Sequence, residues 1–474
     1  MKNNYEVIII GGGVAGLYTA LSLPKNIDIL ILTKSSLDIC NSALAQGGIA
    51  GVWNFPSDSV SSHKADTLNA GGYTNCETAV DILVNEAKLD LENLLTLGVE
   101  FDKANGDFHR TLEGGHSHRR IFHHKDTTGQ EILSKLFVNV KARENITLLS
   151  NCPVFDVKKT ETGFSVNTKE KVFNSHFLVM ATGGIGSCYL HSTNASGATG
   201  DGIAFAYELG AKIKNMSLIQ FHPTAFLPLT GEKSDRRLLI SEAVRGEGAY
   251  LLNSKKERFM HKYDERLELS PRDVISKAML KEGGHIFYID ITHKPKSEIT
   301  SLFPTIYREL LELGYDMATD KIPVYPCQHY LMGGIDVDVN ANTSIAGLYA
   351  VGECSHTGLH GNNRLASNSL MEALVFSRRA ANDIVTKITQ TEKFSEHKFS
   401  NNGKKIVADD LQEKIRKILQ DTYFIEPNML ILEKNLEQIE KIKADLCSNQ
   451  YQTNEQFVAT KSMAVITFFI LSRS

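Results

Sequence analysis

The apolar positions at the start of the chain fall into short runs separated by glycine and proline. Residues 5–10 form a β-branched apolar run that stops at Gly11, residues 15–23 have the pattern of a helix closed by Pro24, and residues 27–32 form a second apolar run. Short runs bounded by such residues are typical of buried strands and of helix ends. The order strand, glycine turn, helix, strand predicts the βαβ unit of a doubly wound α/β sheet.

Two apolar runs far downstream resemble further strands of the same sheet. Residues 177–180 lead directly into A-T-G-G, and residues 347–351 lead into Gly352 and Glu353. Strands of an open α/β sheet carry ligand-binding residues where they end. We therefore expect both runs to end at a bound ligand.

The character of the chain changes between these runs and again after them. Residues 212 to about 324 are richer in charge and mixed in pattern, residues 387–405 are polar, and residues 411–443 have helical spacing with many Lys and Glu. A length of 474 residues also exceeds one ordinary hydrophobic core. We predict an α/β fold with three parts: a nucleotide-binding domain of residues 1–214 and 326–388, an inserted α+β capping domain of residues 215–325, and a C-terminal helical domain of residues 400–474.

Composition excludes several classes of protein. The chain is 42% hydrophobic and 22% charged with a net charge of −4, so no basic surplus indicates a nucleic-acid partner. Its longest apolar run, residues 463–471, is about half of what a bilayer crossing needs, and no export signal precedes residue 7. Its seven cysteines form no C-x-x-C pair, so we expect no metal site and a cytoplasmic location.

The glycine cluster after the first strand fits a dinucleotide-binding turn. Residues 11–16 read G-G-G-V-A-G, which matches G-x-G-x-x-G between a strand and a helix. Gly11 would form the tight turn, Gly13 would admit a pyrophosphate, and Gly16 would let the helix pack on the strand. The acidic residue that usually holds the adenosine ribose is missing, since Thr33 and Lys34 end the second strand.

Several further segments are unusually rich in Gly, His, Arg and Asn, as ligand-binding loops are. They read NSALAQGG at 41–48, EGGHSHRR at 113–120, QFHPT at 220–224, SPRD at 270–273, CQHYLMGG at 327–334 and HGNNRLASNS at 360–369. In this order the motifs resemble the succinate dehydrogenase and fumarate reductase flavoprotein superfamily over about residues 5–380. Within it, E-G-G-H-S-H-R-R and L-H-G-N-N-R-L-A-S-N-S-L are similar to the L-aspartate oxidase family.

The resemblance implies a dicarboxylate site with an added carboxylate. His222, Arg272, His329 and Arg364 match the superfamily's carboxylate-binding and catalytic positions, and an arginine fork suits a carboxylate. Glu113 matches the acidic residue of aspartate oxidases, where it would compensate the substrate ammonium group. Taken singly, each could instead be a structural histidine, a surface ion pair or a solvated loop glutamate.

The resemblance also implies FAD as the cofactor. Asn41 stands at about the position of the histidine that bonds covalently to flavin in the dehydrogenases, so non-covalent FAD is expected. A helix from Asn368 to about residue 384 would direct its N-terminus at the flavin ring. The implied contacts are Gly11, Gly12, Gly13, Val14, Ala15, Gly16, Lys34, Asn41, Ser42, Ala43, Leu44, Ala45, Gln46, Gly47, Gly48, Asp201, Glu353, Ser369 and Leu370.

The implied reaction is the oxidation of L-aspartate to iminoaspartate, the first step of NAD biosynthesis, with oxygen or fumarate as the electron acceptor and quinolinate synthase as a partner. The superfamily assigns proton transfer to Arg272, although arginine is a poor base at neutral pH. Either its effective basicity is altered or a carboxylate such as Asp273 relays the proton. Alternatives are a soluble fumarate reductase and, from another class, a non-catalytic FAD-binding module. Compared with the family that the motifs resemble, the C-terminal domain of this chain is expected to be shortened.

Overall fold

The structure is a computed structural model that describes residues 2–36, 39–53, 58–229, 236–388, 393–399, 403–448 and 450–472. Its strands, in chain order, are β1 Asn4–Ile10, β2 Ile29–Leu32, β3 Ile49–Ala50, β4 Lys103–Ala104, β5 Asp107–Phe108, β6 Arg110–Thr111, β7 Ile121–Phe122, β8 Ile146–Leu149, β9 Val154–Lys159, β10 Phe164–Thr168, β11 Val172–Met180, β12 Ile213–Lys214, β13 Ile219–Phe226, β14 Tyr250–Leu252, β15 Phe287–Asp290, β16 Ile322–Leu331, β17 Gly334–Asp336, β18 Leu348–Ala350, β19 Ser355–His356, β20 Tyr423–Phe424 and β21 Glu426–Pro427.

The helices are, in the same order, α1 Val14–Ser22, α2 Val60–Ala70, α3 Glu77–Thr96, α4 Thr128–Lys141, α5 Asp201–Glu208, α6 Glu242–Gly246, α7 Arg272–Glu282, α8 Lys296–Leu302, α9 Pro304–Glu312, α10 Asn368–Lys387, α11 Leu411–Thr422, α12 Leu432–Leu446 and α13 Glu455–Ser472. Short 3-10 turns occupy Gly186–Cys188, Met260–Lys262, Leu267–Leu269 and Gly352–Cys354.

The central sheet is mostly parallel, as the βαβ pattern predicts. β1 pairs in parallel with β2 on one side and with β11 on the other, and β2 pairs in parallel with β8. The second edge of β11 is shared, because its first half pairs antiparallel with β10 and its last three residues pair in parallel with β18. The ends of β1, β2, β11 and β18 consequently lie along one edge of the sheet.

Side chains of the central strands alternate between two hydrophobic cores, as the period of two requires. Val7 and Ile9 of β1 pack with α1, α3, α4 and α10 on one face. Ile8 and Ile10 pack on the other face, where α5 and the C-terminal helices α11, α12 and α13 lie. The sheet is therefore covered on both faces, and the predicted fold class is confirmed.

The segment between β12 and β17 has a sheet and core of its own. β13, β16, β15 and β14 form an antiparallel sheet in that order, and α7 packs on β13. Apolar side chains such as Phe259, Phe287 and Ile306 fill a third core beneath it. Because β16 continues to Leu331, this sheet extends past the predicted domain boundary at 325, which stays a prediction.

The C-terminal region is helical, with one departure from the sequence pattern. The span 411–443 contains two helices, α11 and α12, separated by the short β20–β21 hairpin rather than one continuous helical pattern. The apolar run 463–471 lies in α13, whose Met463, Ile466 and Ile470 are buried. Among the described residues, no helix is both long and apolar enough to cross a membrane.

The polar segment after α10, predicted as a linker, lies partly outside the described residues. In its described part, Phe394 stacks on His176 at 4.2 Å between ring centroids, and the Ser395 amide donates to the Thr162 hydroxyl. This part of the segment therefore packs along the central sheet.

Candidate active site

A deep cleft of about 310 Å³ lies between the edge of the central sheet and the inserted sheet. The glycine turn after β1 lines one end, and His222, Arg272 and His329 of the inserted segment line the other with Arg364. Of the residues predicted as site residues, all but Gly16 and Ala43 line this cleft. The folding of distant segments thus brings the sequence motifs together.

The glycine turn is packed too tightly for side chains. A Cβ atom at Gly11, where φ is +118°, would lie 2.0 Å from the carbonyl oxygen of Ala181, and one at Gly16 would lie 2.0 Å from the carbonyl oxygen of Gly11. Gly16 therefore permits the packing of α1 on β1, as its position in the motif predicts, without facing the cleft. The first amide of α1, on Val14, donates to the Ser42 hydroxyl at 3.1 Å.

A salt bridge replaces the missing acidic residue at the end of β2. The Lys34 ammonium contacts the Asp201 carboxylate at 2.7 Å and the Thr199 hydroxyl at 2.9 Å. Asp201 begins α5, so the pair joins the end of β2 to the opposite face of the sheet. Both residues line the cleft where a nucleotide would lie.

Glu353 lies in the middle of the cleft, partly open to it. Its carboxylate accepts a hydrogen bond of 3.0 Å from the Leu331 amide. Burial raises the pKa of Glu353 to about 7, although the Leu331 amide and the Arg364 charge partly oppose this. Asn41, which also lines the cleft, accepts a hydrogen bond of 2.8 Å from the Ala195 amide.

At the far end, two arginines donate to one side-chain amide, and two histidines lie in the same part of the cleft. The Gln220 side-chain oxygen accepts from Arg272 at 2.9 Å and from Arg364 at 3.1 Å. The rings of His222 and His329 lie 5.0 Å apart between centroids. These four predicted side chains thus form a single cationic and hydrogen-bonding group.

Both histidines of this group are neutral donors or acceptors. Desolvation, followed by the charge of Arg272, holds the pKa of each well below its usual value. His222 Nδ1 accepts from the Thr224 amide at 3.2 Å, which leaves the proton on Nε2, and Nε2 has no partner among the described residues. His222 therefore presents a free N–H donor in the cleft.

Arg364 is held by stacking and by hydrogen bonds. Its guanidinium lies 4.4 Å from the centroid of the Tyr330 ring, and its Nη1 donates to the Ser369 hydroxyl at 2.9 Å. Burial, followed by the charge of Arg272, lowers its pKa to about 10. Its Nε has no partner within the described part of the chain, so one donor remains available to a ligand.

Glu242 is a site residue that the sequence reasoning missed. Arg272 Nε donates to the Glu242 carboxylate at 2.6 Å, and Arg245 lies 3.3 Å from the other oxygen. Burial raises the pKa of Glu242, but the charges of Arg272 and Arg245 more than offset it, and the net pKa is lowered. The spacing of Glu242 and Arg245 by three residues, before a glycine, was the available signal.

The hypothesis that Asp273 is the carboxylate partner of Arg272 is wrong. The Asp273 carboxylate accepts from the Asn363 side-chain amide at 2.7 Å, whereas Arg272 pairs with Glu242. Asp273 follows Arg272 at the start of α7, and successive helical residues point in different directions. Adjacency in sequence therefore gave the wrong partner.

Glu113 is a buried carboxylate beside the two arginines. Its Oε2 accepts from the Ser367 hydroxyl at 2.5 Å, and only 3% of the residue is exposed. Burial and then the charge of Glu242 raise its pKa, while Ser367, Arg272 and Arg364 lower it. It is thus not a solvated loop glutamate, and a cation placed next to it would favour its charged form.

Several buried polar atoms of the cleft lack a protein partner. Gln46 Oε1 and Asn194 Oδ1 belong to residues that line the cleft, and no described residue pairs with them. Leaving such atoms unpaired is costly, so a polar ligand is expected to satisfy them. Together with the glycine turn and the N-terminus of α1, they fit a dinucleotide.

Comparisons with known proteins agree with this site. A family described as FAD binding domain matches residues 6–370. The L-aspartate oxidase of Clostridium perfringens is 41% identical over 87% of this chain and 95% of its own length, and that of Clostridium acetobutylicum is 44% identical over 83% and 91%.

Solved structures of related flavoproteins have the same fold. The quinol fumarate reductase of E. coli matches with a TM-score of 0.89 and 25% identity, covering 99% of this chain and 88% of that one. Mycobacterium smegmatis Sdh1 matches with a TM-score of 0.82 and 27% identity, covering 99% and 86%.

Proposed function

Because the chain belongs to the L-aspartate oxidase family and carries its FAD-binding domain, we propose that it oxidises L-aspartate to iminoaspartate. FAD, when bound, supplies the hydride acceptor. The observation that carries the proposal is the buried Glu113 carboxylate beside Arg272 and Arg364, because a substrate with two carboxylates and one ammonium group needs both kinds of partner.

FAD is held without a covalent bond in this proposal. The turn at Gly11 to Ala15 and the segment from Asn41 to Gly48 enclose the nucleotide end of the cleft. Glu353 would accept a hydrogen bond from a ribityl hydroxyl, and Asn41 cannot form the flavin bond that a histidine forms. Ser369 and Leu370 begin α10, whose N-terminal dipole favours negative charge on the flavin ring.

The substrate carboxylates are bound by Arg364 and the two histidines. Arg364 keeps Nε free, and His222 keeps Nε2 free, so each has a donor to offer. The Thr193 hydroxyl lies 2.7 Å from His329 Nδ1 and orients that ring. Fixed donors of this kind would hold the substrate in one orientation in the cleft.

Arg272 and Glu242 form the proton path that we propose. Arg272 would accept the substrate proton at one guanidinium nitrogen while its Nε proton passes to the ionised Glu242 carboxylate, so that the guanidinium keeps its charge and Glu242 becomes protonated. Arg245 lies 3.3 Å from the other oxygen of Glu242, and its Nη1 donates to the Glu268 backbone oxygen, so a second fixed positive charge favours the ionised form of Glu242. The path answers the objection that an isolated arginine is a poor base.

We further propose that oxygen or fumarate reoxidises the flavin and that the protein works in the cytoplasm. The fumarate reductase fold of the cleft supports fumarate as an acceptor. Thiols without a disulfide bond support a reducing compartment, and the described part of the chain has them at Cys76, Cys152, Cys188, Cys327, Cys354 and Cys447. Because iminoaspartate hydrolyses readily, an enzyme that consumes it at once, quinolinate synthase, is the proposed partner.

The test is anaerobic mixing of the FAD-loaded protein with L-aspartate, and separately with succinate, while the flavin absorbance is followed. Bleaching by L-aspartate but not by succinate is expected. Bleaching by succinate alone would favour the soluble fumarate reductase alternative. Failure of both substrates to bleach bound FAD would favour a non-catalytic flavin-binding module.

A further inference from the structure

The loop that carries Glu113 connects two short strands. It spans residues 112–120 between β6 and β7, which pair through Thr111 and Ile121. Two glycines follow Glu113, and the second, Gly115, has a φ of +84°. Because glycine restricts the backbone least, the position of the Glu113 carboxylate depends on the contacts that the loop and the carboxylate make with the rest of the protein.

Arg120, at the end of this loop, is clamped by two carboxylates. Its side chain is fully buried, and its Nε and Nη2 donate to the two oxygens of Asp58 at 3.0 and 2.8 Å. Its Nη1 pairs with Asp66, which also accepts from the Ser117 amide and hydroxyl at 2.8 Å each. The loop is thereby tied at two points to α2 and the residues before it.

The same guanidinium fixes the tautomer of His116. Arg120 Nη1 lies 3.0 Å from His116 Nδ1, and because a guanidinium only donates, Nδ1 must be the acceptor. The ring proton is then on Nε2, which donates to the Ala366 backbone oxygen at 2.9 Å. Burial lowers the pKa of His116 to about 4, so the ring is neutral and this pattern is maintained near neutral pH.

The Ala366 carbonyl leads back to Glu113. The next residue, Ser367, has a left-handed backbone with a φ of 61°, and its hydroxyl donates to the Glu113 carboxylate at 2.5 Å. The same hydroxyl accepts from the Gly48 amide at 3.3 Å. A continuous series of contacts therefore leads from Arg120 through His116 and the Ala366–Ser367 segment to Glu113.

We propose that Arg120, held by Asp58 and Asp66, is a positioning residue that fixes the Glu113 carboxylate through His116. The protein would thereby prefer a dicarboxylate with an ammonium group to a dicarboxylate without one. Neither Arg120 nor the two carboxylates line the cleft, so they act only through the loop. The inference rests on the proposed function, in which Glu113 faces the substrate ammonium. It goes beyond that function by naming the residues that make this recognition possible.

The test compares two substrates that differ in the ammonium group. FAD-loaded Arg120→Lys and Asp66→Asn proteins are assayed for L-aspartate oxidation and for fumarate reduction with a reduced viologen dye. We expect KM for L-aspartate to rise by about tenfold or more, because a misplaced carboxylate loses a charge-assisted hydrogen bond, while KM for fumarate changes by less than about threefold. Glu113→Gln is the reference variant, because it removes the carboxylate itself and should raise KM for L-aspartate alone.

Arg378→Lys is the matched control. Arg378 is also a guanidinium between two carboxylates, contacting Asp90 and Glu86 of α3 at 2.8 Å each, but it lies outside the cleft and outside the Glu113 loop. A merely structural effect of losing such a clamp would change both activities alike. The control is therefore expected to keep the wild-type ratio of the two KM values.

Each outcome decides between the proposals. Equal loss of both activities in the Arg120 and Asp66 proteins, or an unchanged ratio, would overturn the positioning role. If Arg120→Lys does not fold, Asp66→Asn decides, because it leaves the pair between Arg120 and Asp58 in place. A wild-type protein that does not oxidise L-aspartate overturns the proposed function itself, whereas an active wild type with unselective variants overturns only this inference.

Discussion

Arg272 donates through Nε to the Glu242 carboxylate at 2.6 Å, and this buried pair joins the substrate end of the cleft to Arg245. The pair has two consequences. It leaves the remaining guanidinium nitrogens of Arg272 for Gln220 and for a ligand, and it places an ionised acid against the guanidinium that we propose as the acceptor of the substrate's proton. The proposed mechanism therefore gives Glu242 a chemical role in addition to its structural one.

Glu242→Gln is expected to slow flavin reduction by L-aspartate by about 10²- to 10⁴-fold, the usual contribution of a positioned proton-transfer group. Fumarate reduction should fall by a similar factor, since the same proton path serves both directions. The measurement is single-turnover flavin reduction under anaerobic conditions. A rate equal to that of the wild type would mean that Arg272 does not need this carboxylate.

The variant is also expected to be less stable, because Arg272 and Arg245 would both lose the buried carboxylate that lies between them. Removing one partner of a buried pair costs about 3–5 kcal/mol. Asp90→Asn is the appropriate control, since Asp90 is a buried acid that pairs with Arg378 outside the cleft. It should lower the melting temperature without slowing the chemistry.

Glu113→Gln is expected to weaken L-aspartate binding selectively. Loss of a charged hydrogen bond costs about 1.5–3 kcal/mol, which corresponds to a rise in KM of about 10- to 100-fold. Fumarate has no ammonium group, so its KM should stay within about threefold. Steady-state assays of both reactions measure the split, and an equal rise in both KM values would exclude ammonium recognition by Glu113.

A control for this change is Glu309→Gln. Glu309 is a half-buried acid of the inserted segment, and burial raises its pKa as it does that of Glu113. It lies outside the cleft, so both KM values should remain at the wild-type level.

Much of the fold could be predicted because its signals are local. The run 5–10, the glycine turn and the helix after it are adjacent in sequence, and the continuous apolar run at the end of β1 reflects a strand buried on both faces. The boundary between α11 and α12 could not be predicted, because the β20–β21 hairpin depends on packing that the Lys- and Glu-rich pattern does not encode.

The site residues divide in the same way into those that local sequence indicates and those that only tertiary contacts reveal. Motifs rich in Gly, His and Arg indicated His222, Arg272, His329 and Arg364, whereas Glu242 lies in an ordinary stretch and becomes a site residue only through its distance from Arg272. Asp273 was a reasonable partner by sequence, but the direction of side chains at the start of α7 excluded it. Pairing of charges across segments is a tertiary property, and one sequence does not carry it.

Arg364→Lys is expected to raise KM for L-aspartate and for fumarate together, by about 10- to 100-fold. A lysine cannot contact Gln220 and Ser369 at once, nor stack its planar fork on Tyr330, so the donor geometry for a carboxylate is lost for both substrates. The ratio of the two KM values should stay near that of the wild type, in contrast to Glu113→Gln.

Arg379→Lys is the matched change for Arg364, because Arg379 lies on α10 and contacts Glu86 and the Val339 carbonyl away from the cleft. The KM values of the Arg379→Lys protein for L-aspartate and for fumarate should equal those of the wild type. A selective loss of aspartate oxidation in Arg364→Lys would contradict the assignment of Arg364 to a carboxylate that both substrates share.

The raised pKa of Glu353 predicts a pH dependence of stability. Burial moves this pKa from 4.5 to about 7, so the folded protein without FAD binds a proton that the unfolded chain releases at lower pH. A group whose folded pKa is raised stabilises the fold fully below its unfolded pKa, and that contribution is lost as the pH rises through the folded value. The window therefore runs from about pH 4.5 to about pH 7.

The contribution of Glu353 is best isolated as a difference between wild type and Glu353→Gln, because the buried histidines titrate in the opposite sense. Relative to that variant, the FAD-free wild type should lose at most about 3 kcal/mol between about pH 5 and about pH 8, and less where cleft water screens the charge. Bound FAD should reduce the loss, since a ribityl hydroxyl would stabilise the ionised carboxylate. Melting temperatures of both proteins, with and without FAD, measure the effect; a difference that does not change with pH, or that grows as the pH rises, would contradict a proton held at Glu353.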